Sequence, residues 1–300
     1  MAKRPHAGPT LDEKEGRTVI DCTECGFAHI LPLPTEEALT AFYQEAFYAV
    51  ERPKYFSDTE EDIDWWMATY RNYFDVFEQH TNGRRILDVG SGPGYFLLAG
   101  QERGWEALGI EPSPDACAYA TEHGARVVQE FFTYDAAKAY GPFDVVHASM
   151  VLEHVPDPCS MIEDIKRLLA PGGILAIFSP NDYNPLQSVA REGLTLPPYW
   201  VVPDHHLNYF NVPSMQRVLE GLGLEVVDTL ATFPLEFFLL AGRNYITDPS
   251  LGRGSHHMRT IFEEHMYAHN PVLLNELYRR FATLGVGREF IMLAKAPITI

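Results

Sequence analysis

Residues 86–96 read ILDVGSGPGYF: an apolar run stops at Asp88 and Val89 and opens into three alternating glycines, Gly90, Gly92 and Gly94. With Ser91 and Pro93 between them, these positions leave a loop almost bare of side chains, as required where a ligand must lie against backbone. Glu111 follows about 20 residues later, at the end of the next apolar run, where an acid can accept both hydroxyls of a ribose. A dinucleotide pyrophosphate asks for G-x-G-x-x-G, in which amides cradle the phosphates and the third glycine lets the helix pack. Here the spacing is G-x-G-x-G, and Tyr95 and Phe96 fill the next positions. Close approach is demanded; phosphate geometry is not.

A ribose-bearing ligand without a phosphate on that loop fits S-adenosylmethionine, its amino acid end against Gly90 to Gly92 and its ribose on Glu111. A nicotinamide oxidoreductase is the competing enzyme class, weakened by the glycine spacing. Methyl transfer to an alcohol also needs a base to take the proton. His205 and His206, in PDHHLNYF, are the first candidates, because they follow the fifth strand of the alternation, and carboxyl ends of such strands meet substrate. His154, beside Glu153 in MVLEHVPDP, is the second candidate. Arg71 lies on a helix just before the first strand of the alternation, where its planar fork could pair with the cofactor carboxylate. Trp65 and Trp66 on the same helix read as core packing.

The elements that must position these groups follow from periodicity. RILDV, WEALGIE, RVVQ, FDVVHAS and ILAIFS are short apolar strands, separated by helices such as GYFLLAGQERG and SPDACAYATEHG. Ser113 reads as an N-cap, with Pro114 at the first helical position and Gly124 past the end. DPCSMIEDIKRLLAPGG is read as one helix whose Met161, Ile162, Ile165, Leu168 and Leu169 share a face. Strands alternating with helices build a parallel, doubly wound sheet. Residues 181–212 lack periodicity; a helix resumes over 213–223, and LEVVDTL and EFIMLAK read as two more strands. Between them, residues 233–285 form an insertion long enough to be structured. The expected division is an N-terminal hairpin and helices over 1–83 and a catalytic domain over 84–300. Residues 181–212 and 233–285 are its caps, closing over the acceptor pocket or burying themselves in a homodimer.

Twenty-three Lys and Arg against 41 Asp and Glu give a net charge of −18, which argues against a nucleic-acid surface. The start, MAKRPHAGPT, is basic but no apolar core of a signal follows, and no run reaches the ~18 apolar residues of a membrane span. The expectation is a cytoplasmic protein with a small-molecule acceptor. Four cysteines in 300 residues do not make a disulfide framework. Cys22 and Cys25, in CTECG, make half of a zinc ribbon, and a tetrahedral site needs four ligands. His6 and His29 could complete it; the metal-free hairpin is the favoured reading.

ILDVGSGPGYF, GIEPSP, FDVVHASMVLEHVPDP and LLAPGGILAIFSPND resemble the successive motifs of class I S-adenosylmethionine-dependent methyltransferases, near the ubiquinone-biosynthesis-like branch. The resemblance implies a Rossmann-like seven-stranded sheet with an antiparallel last strand. Carried over, it assigns Asp88, Gly90, Ser91, Gly92 and Gly94 to the cofactor loop and Glu111 and Pro112 to the ribose. Glu130 and Phe131 flank the adenine, and His147 and Ala148 line the methionine end. Some relatives bind a divalent ion with a glutamate at the position of Met150, a poor ligand for a hard cation, so no catalytic metal is expected here. CTECGFAHILPLPT, DWWMATY, PNDYNPLQ and DHHLNYF resemble a subgroup linked to bacterial surface-polysaccharide synthesis, which implies a sugar or nucleotide-sugar acceptor. O-methylation leads; N- or C-methylation and a non-catalytic cofactor-binding subunit stay open.

Overall fold

The protein is described here from a computed structural model covering residues 6–35, 39 and 59–296. Its first elements are β1 (Thr10–Lys14), β2 (Arg17–Asp21) and β3 (Ala28–Leu31), an antiparallel meander. A fourth strand, β9 (Asn208–Tyr209), joins beside β3 with Ala28 opposite Tyr209 and His29 opposite Asn208. The N-terminal hairpin is therefore one part of a four-stranded sheet. Its last strand comes from the stretch that has no periodicity in sequence. A two-residue strand carries too little alternation to be seen there.

The second sheet holds β4 (Arg85–Val89), β5 (Glu106–Ile110), β6 (Val127–Val128), β7 (Phe143–Ser149), β8 (Leu169–Pro180), β10 (Glu225–Ala231) and β11 (Glu289–Lys295). Their order is β10-β11-β8-β7-β4-β5-β6, with the last strand of the chain antiparallel. β4 runs parallel to β5 and to β7, and β5 to β6. Ile86, Leu87, Val145, Val146, Ile174, Leu175, Ile177 and Leu293 are fully buried, as expected of strands covered on both faces. From β4 the chain builds outward on one side through β5 and β6, then returns to β7 on the other. The carboxyl ends of β4 and β7 thus form the switch point at which such sheets bind ligands.

The chain's contacts gather into two compact units: Met1–Leu33, Leu152–Pro158 and Phe178–Leu293 in the first, Pro34–Val151, Cys159–Ile177 and Ala294–Ile300 in the second. In the second unit α1 (Ile63–Phe77) packs on α2 (Tyr95–Glu102), Phe74 stacking on Phe96 with centroids 4.9 Å apart. Trp65 is buried, in keeping with a packing role. α3 (Pro114–Glu122) starts as its sequence dictates, Ala116 N–H donating to the Ser113 hydroxyl. α4 (Tyr134–Ala137) and α5 (Pro158–Lys166) follow. The last of these is shorter than its periodicity suggests, because Leu169 already belongs to β8 and Leu168 pairs its carbonyl with Phe143 N–H.

In the first unit, residues 181–212 contain α6 (Pro185–Leu194), opened by a reciprocal capping box between Asn184 and Gln187. α7 (Val212–Gly221) is capped in the same way by Asn211 and Ser214. Residues 233–285 fold into α8 (Glu236–Leu240), a 3-10 turn, α9 (Gly252–His269) and α10 (Pro271–Thr283). α10 packs against β10, Arg279 gripping Asp228 at 2.7 Å, so part of this expected cap is the layer over its own strand. Buried Arg259 on α9 pairs with Glu263 and Glu289.

Candidate functional site

The glycine loop leaves β4 through residues that need its glycines. Gly90 has φ +72°, and a Cβ on it would meet Val151 Cγ2 at 2.8 Å. In β5, Gly109 leaves room for the loop: a Cβ there would fall 2.3 Å from Ser91 Oγ. Decisive for the ligand is where the loop's amides point. Gly90 and Ser91 N–H donate to Ile110 O at 2.8 and 3.3 Å, and Gly94 N–H to Ser91 O at 3.1 Å. Gly92 N–H donates to Glu111 Oε2 at 2.9 Å, and Pro93 has none to offer. Every amide of the loop is thus satisfied within the chain, and none is left to cradle a pyrophosphate.

Glu111 lies 5% exposed, with Oε1 accepting from Ser113 N–H at 2.9 Å and Oε2 from Gly92. Burial pushes its carboxyl up from the usual range, while the two amides pull it down. A carboxylate offers about four acceptor positions, so the two amides fix its aim and leave capacity for a diol. Ser91 Oγ, also buried, makes no hydrogen bond to the chain. A buried acid and hydroxyl beside a loop that excludes phosphate suit an adenosine-type ligand. Pro112 follows Glu111, and exposed Glu130 and Phe131 stand on the loop after β6, where a planar base can be flanked.

Four residues assigned to the cofactor also have partners or packing within the chain. His147 Nδ1 donates to Asp88 Oδ1 at 2.7 Å, and its ring stacks on Phe96 with centroids 4.1 Å apart. Both residues are buried on neighbouring strands, opposite one another in register. Asp88 and His147 therefore brace β4 against β7, and Ala148, fully buried, fills the sheet beside them. Arg71 is held by Glu102 at 2.8 Å in an exposed pair joining α1 to α2, which answers its charge without a ligand.

The histidines lie in the other unit. Leu207 and Asn208 N–H both donate to Glu153 O, at 2.7 and 3.0 Å, and the Asn208 amide donates to Leu152 O and Val155 O. Asn208 thus ties the Glu153–His154 loop to the segment carrying His205 and His206. Its role is absent from the sequence reading, because a single asparagine gives no pattern. His154 Nδ1 lies 2.8 Å from His205 O. A carbonyl only accepts, so Nδ1 carries the hydrogen and Nε2 the lone pair, 3.9 Å from Glu153 Oε1. His205 is itself 7% exposed. Ligand atoms of Glu153, His154 and His206 all lie within 4.8 Å of one another.

Both Glu153 carboxylate oxygens are buried without a hydrogen-bond partner, and burial raises its pKa to about 8. Asp182, also buried, is raised to about 7 for the same reason. Folded Glu153 holds its proton where the unfolded chain has lost it. Its contribution is favourable below the ordinary carboxylate range and is lost as pH rises towards about 8. Glu153→Gln is therefore expected to raise the melting temperature more at pH 8 than at pH 5. Equal shifts at the two pH values would contradict a neutral buried acid. A cleft of about 720 Å³ lined by Tyr183, Asn211, Asp228 and Arg279 contains none of these histidines.

No described helix is long and apolar enough to cross a membrane. The profile of a family described as a methyltransferase domain matches residues 53–229. An uncharacterized methyltransferase of Mycobacterium sp. (strain JLS) is 41% identical over 104 residues, covering 34% of this chain and 40% of that protein. The chain thus spans about two-fifths of the length of that relative. A ubiquinone biosynthesis O-methyltransferase of Caulobacter sp. (strain K31) is 31% identical over 181 residues, covering 56% of this chain and 71% of its own. In fold, the chain matches a SAM-dependent methyltransferase from Archaeoglobus fulgidus with TM-score 0.52 at 20% identity, over 80% of this chain and 99% of that one. With its glycine loop, Glu111 and strand order, the chain belongs to the methyltransferase-domain family, on the fold of the S-adenosylmethionine-dependent enzymes.

Proposed function

We propose that the protein methylates a hydroxyl of a small molecule, with S-adenosylmethionine as donor. The observation that carries this reading is the inward bonding of every amide in the Gly90–Gly94 loop beside a buried, amide-anchored Glu111. Bound at that loop, the donor supplies a methyl group already activated by its sulfonium. The chain's work is then alignment, which can contribute ~7–11 kcal/mol to an in-line displacement. Glu111 accepts the ribose hydroxyls, Glu130 and Phe131 flank the base, and the backbone of Gly90 to Gly92 lies against the amino acid end. Asp88 and His147 hold β4 and β7 so that the loop keeps its shape.

For the acceptor, His154 is the base we favour among the three histidines. Its tautomer is set by the His205 carbonyl, so Nε2 is the atom that takes the proton as oxygen bonds to the methyl carbon and the carbon–sulfur bond breaks. His206 and Glu153 lie within reach of it. A sugar or nucleotide-sugar acceptor rests on the resemblance of the flanking strings alone. The test is transfer of labelled methyl to nucleotide sugars, phenols and amines. Label on oxygen supports the reading; label only on nitrogen or carbon overturns the acceptor chemistry.

A second reading has Glu153, His154 and His206 holding a divalent ion, favoured by their mutual approach and the unbonded Glu153 oxygens. Omitting magnesium and manganese, with brief EDTA exposure, is expected to leave turnover intact. Loss that magnesium restores would establish the ion instead.

A further inference from the structure

We propose that His6, Cys22, Cys25 and His29 bind a structural zinc ion, a site independent of the methyl-transfer reading. Cys22 follows β2, and the turn to β3 closes with Gly26 N–H donating to Cys22 O at 2.9 Å and Cys22 N–H to Phe27 O at 3.3 Å. Gly26 has φ +76°, so the turn can double back and bring both sulfurs to one side. The segment before β1 is strapped over this turn. Thr23 gives both its amide and its hydroxyl to Ala7 O, at 3.0 Å each, and Asp21 N–H donates to Pro9 O at 2.9 Å. The strap passes so close that a Cβ on Gly8 would lie 1.8 Å from Asp21 O.

That strap delivers His6. Its Nδ1 stands 3.5 Å from Cys25 Sγ and 3.7 Å from Cys22 Sγ. A zinc tetrahedron with metal–sulfur bonds of about 2.3 Å and metal–nitrogen bonds of about 2.0–2.1 Å has sulfur–nitrogen edges of roughly 3.6 Å. The observed pair of distances matches that edge on both sulfurs. The fourth group comes from β3. His29 is fully buried, and its Nδ1 meets Ile30 O at 3.0 Å. Nδ1 therefore carries the hydrogen, and Nε2, buried with no hydrogen-bond partner, presents its lone pair. One ligand atom from each of the four residues lies within 4.8 Å of the others.

A thiol–imidazole hydrogen bond would explain one short contact; it leaves His29 Nε2 buried and unanswered. Zinc answers all four groups, with two thiol protons released to solvent on binding. A second C-x2-C pair is lacking, and the strap and β3 supply two imidazoles in its place. Through His29 opposite Asn208, the ion would also steady β9 and the histidine segment that precedes it.

The test is metal content of the full chain purified without chelator. The expected result is about one zinc per chain, released when the thiols are blocked with an organomercurial, and lost in Cys22→Ser, Cys25→Ser and His29→Ala. Cys159→Ser is expected to retain it. Should the serine variants fail to fold, cobalt substitution of the wild type decides. Visible bands of tetrahedral intensity with thiolate charge transfer support the site. Octahedral spectra, or zinc in the wild type no higher than in Cys22→Ser, overturn it.

Discussion

His154→Ala is expected to lower kcat by roughly 10²–10⁴-fold, the usual contribution of a positioned general base, while leaving affinity for S-adenosylmethionine unchanged. The expectation comes from the tautomer: His205 O accepts from Nδ1, so the lone pair must sit on Nε2. The same geometry separates the neighbours. His205 contributes its backbone carbonyl to this bond, and His205→Ala keeps that carbonyl, so its effect is expected to be much the smaller of the two. Full turnover in His154→Ala with loss in His206→Ala would move the base to His206.

Glu111→Ala is expected to weaken binding of both the donor and its demethylated product by about 1.5–3 kcal/mol, or roughly 10- to 150-fold. The carboxylate is already aimed by Gly92 and Ser113 amides, so little ordering cost is met when a diol arrives. Alanine also strands the Gly92 N–H in a buried turn. Glu111→Gln keeps one carbonyl oxygen and should fall between the two. Equal losses for donor and product are required, since they share the ribose. Unchanged affinity in Glu111→Ala would reduce this acid to a brace for the loop.

Most strands, most helices and the glycine loop are legible in the sequence because each rests on local chemistry. Apolar runs, Ser113 at an N-cap and the absence of a third phosphate-spacing glycine need no distant partner. What the sequence hides is side-chain pairing across elements. Asp88 and His147 stand 59 positions apart and meet through strand register, so neither motif announces the hydrogen bond that joins them. The ion pair of Arg71 with Glu102, on the next helix, is equally hidden. His6 and His29 complete a ligand set around Cys22 and Cys25 only through a strap and a strand pairing that no spacing rule contains. Asn208 shows the same limit: its three carbonyl and amide bonds to the Glu153 loop are tertiary facts.

The Gly90–Gly94 loop is expected to receive a sulfur nucleoside and no pyrophosphate. Titration calorimetry of the wild-type protein with S-adenosylmethionine, its demethylated product and NAD tests it directly. Saturable heats are expected for the first two and none for NAD. Binding of NAD with no response to either sulfur nucleoside would contradict it.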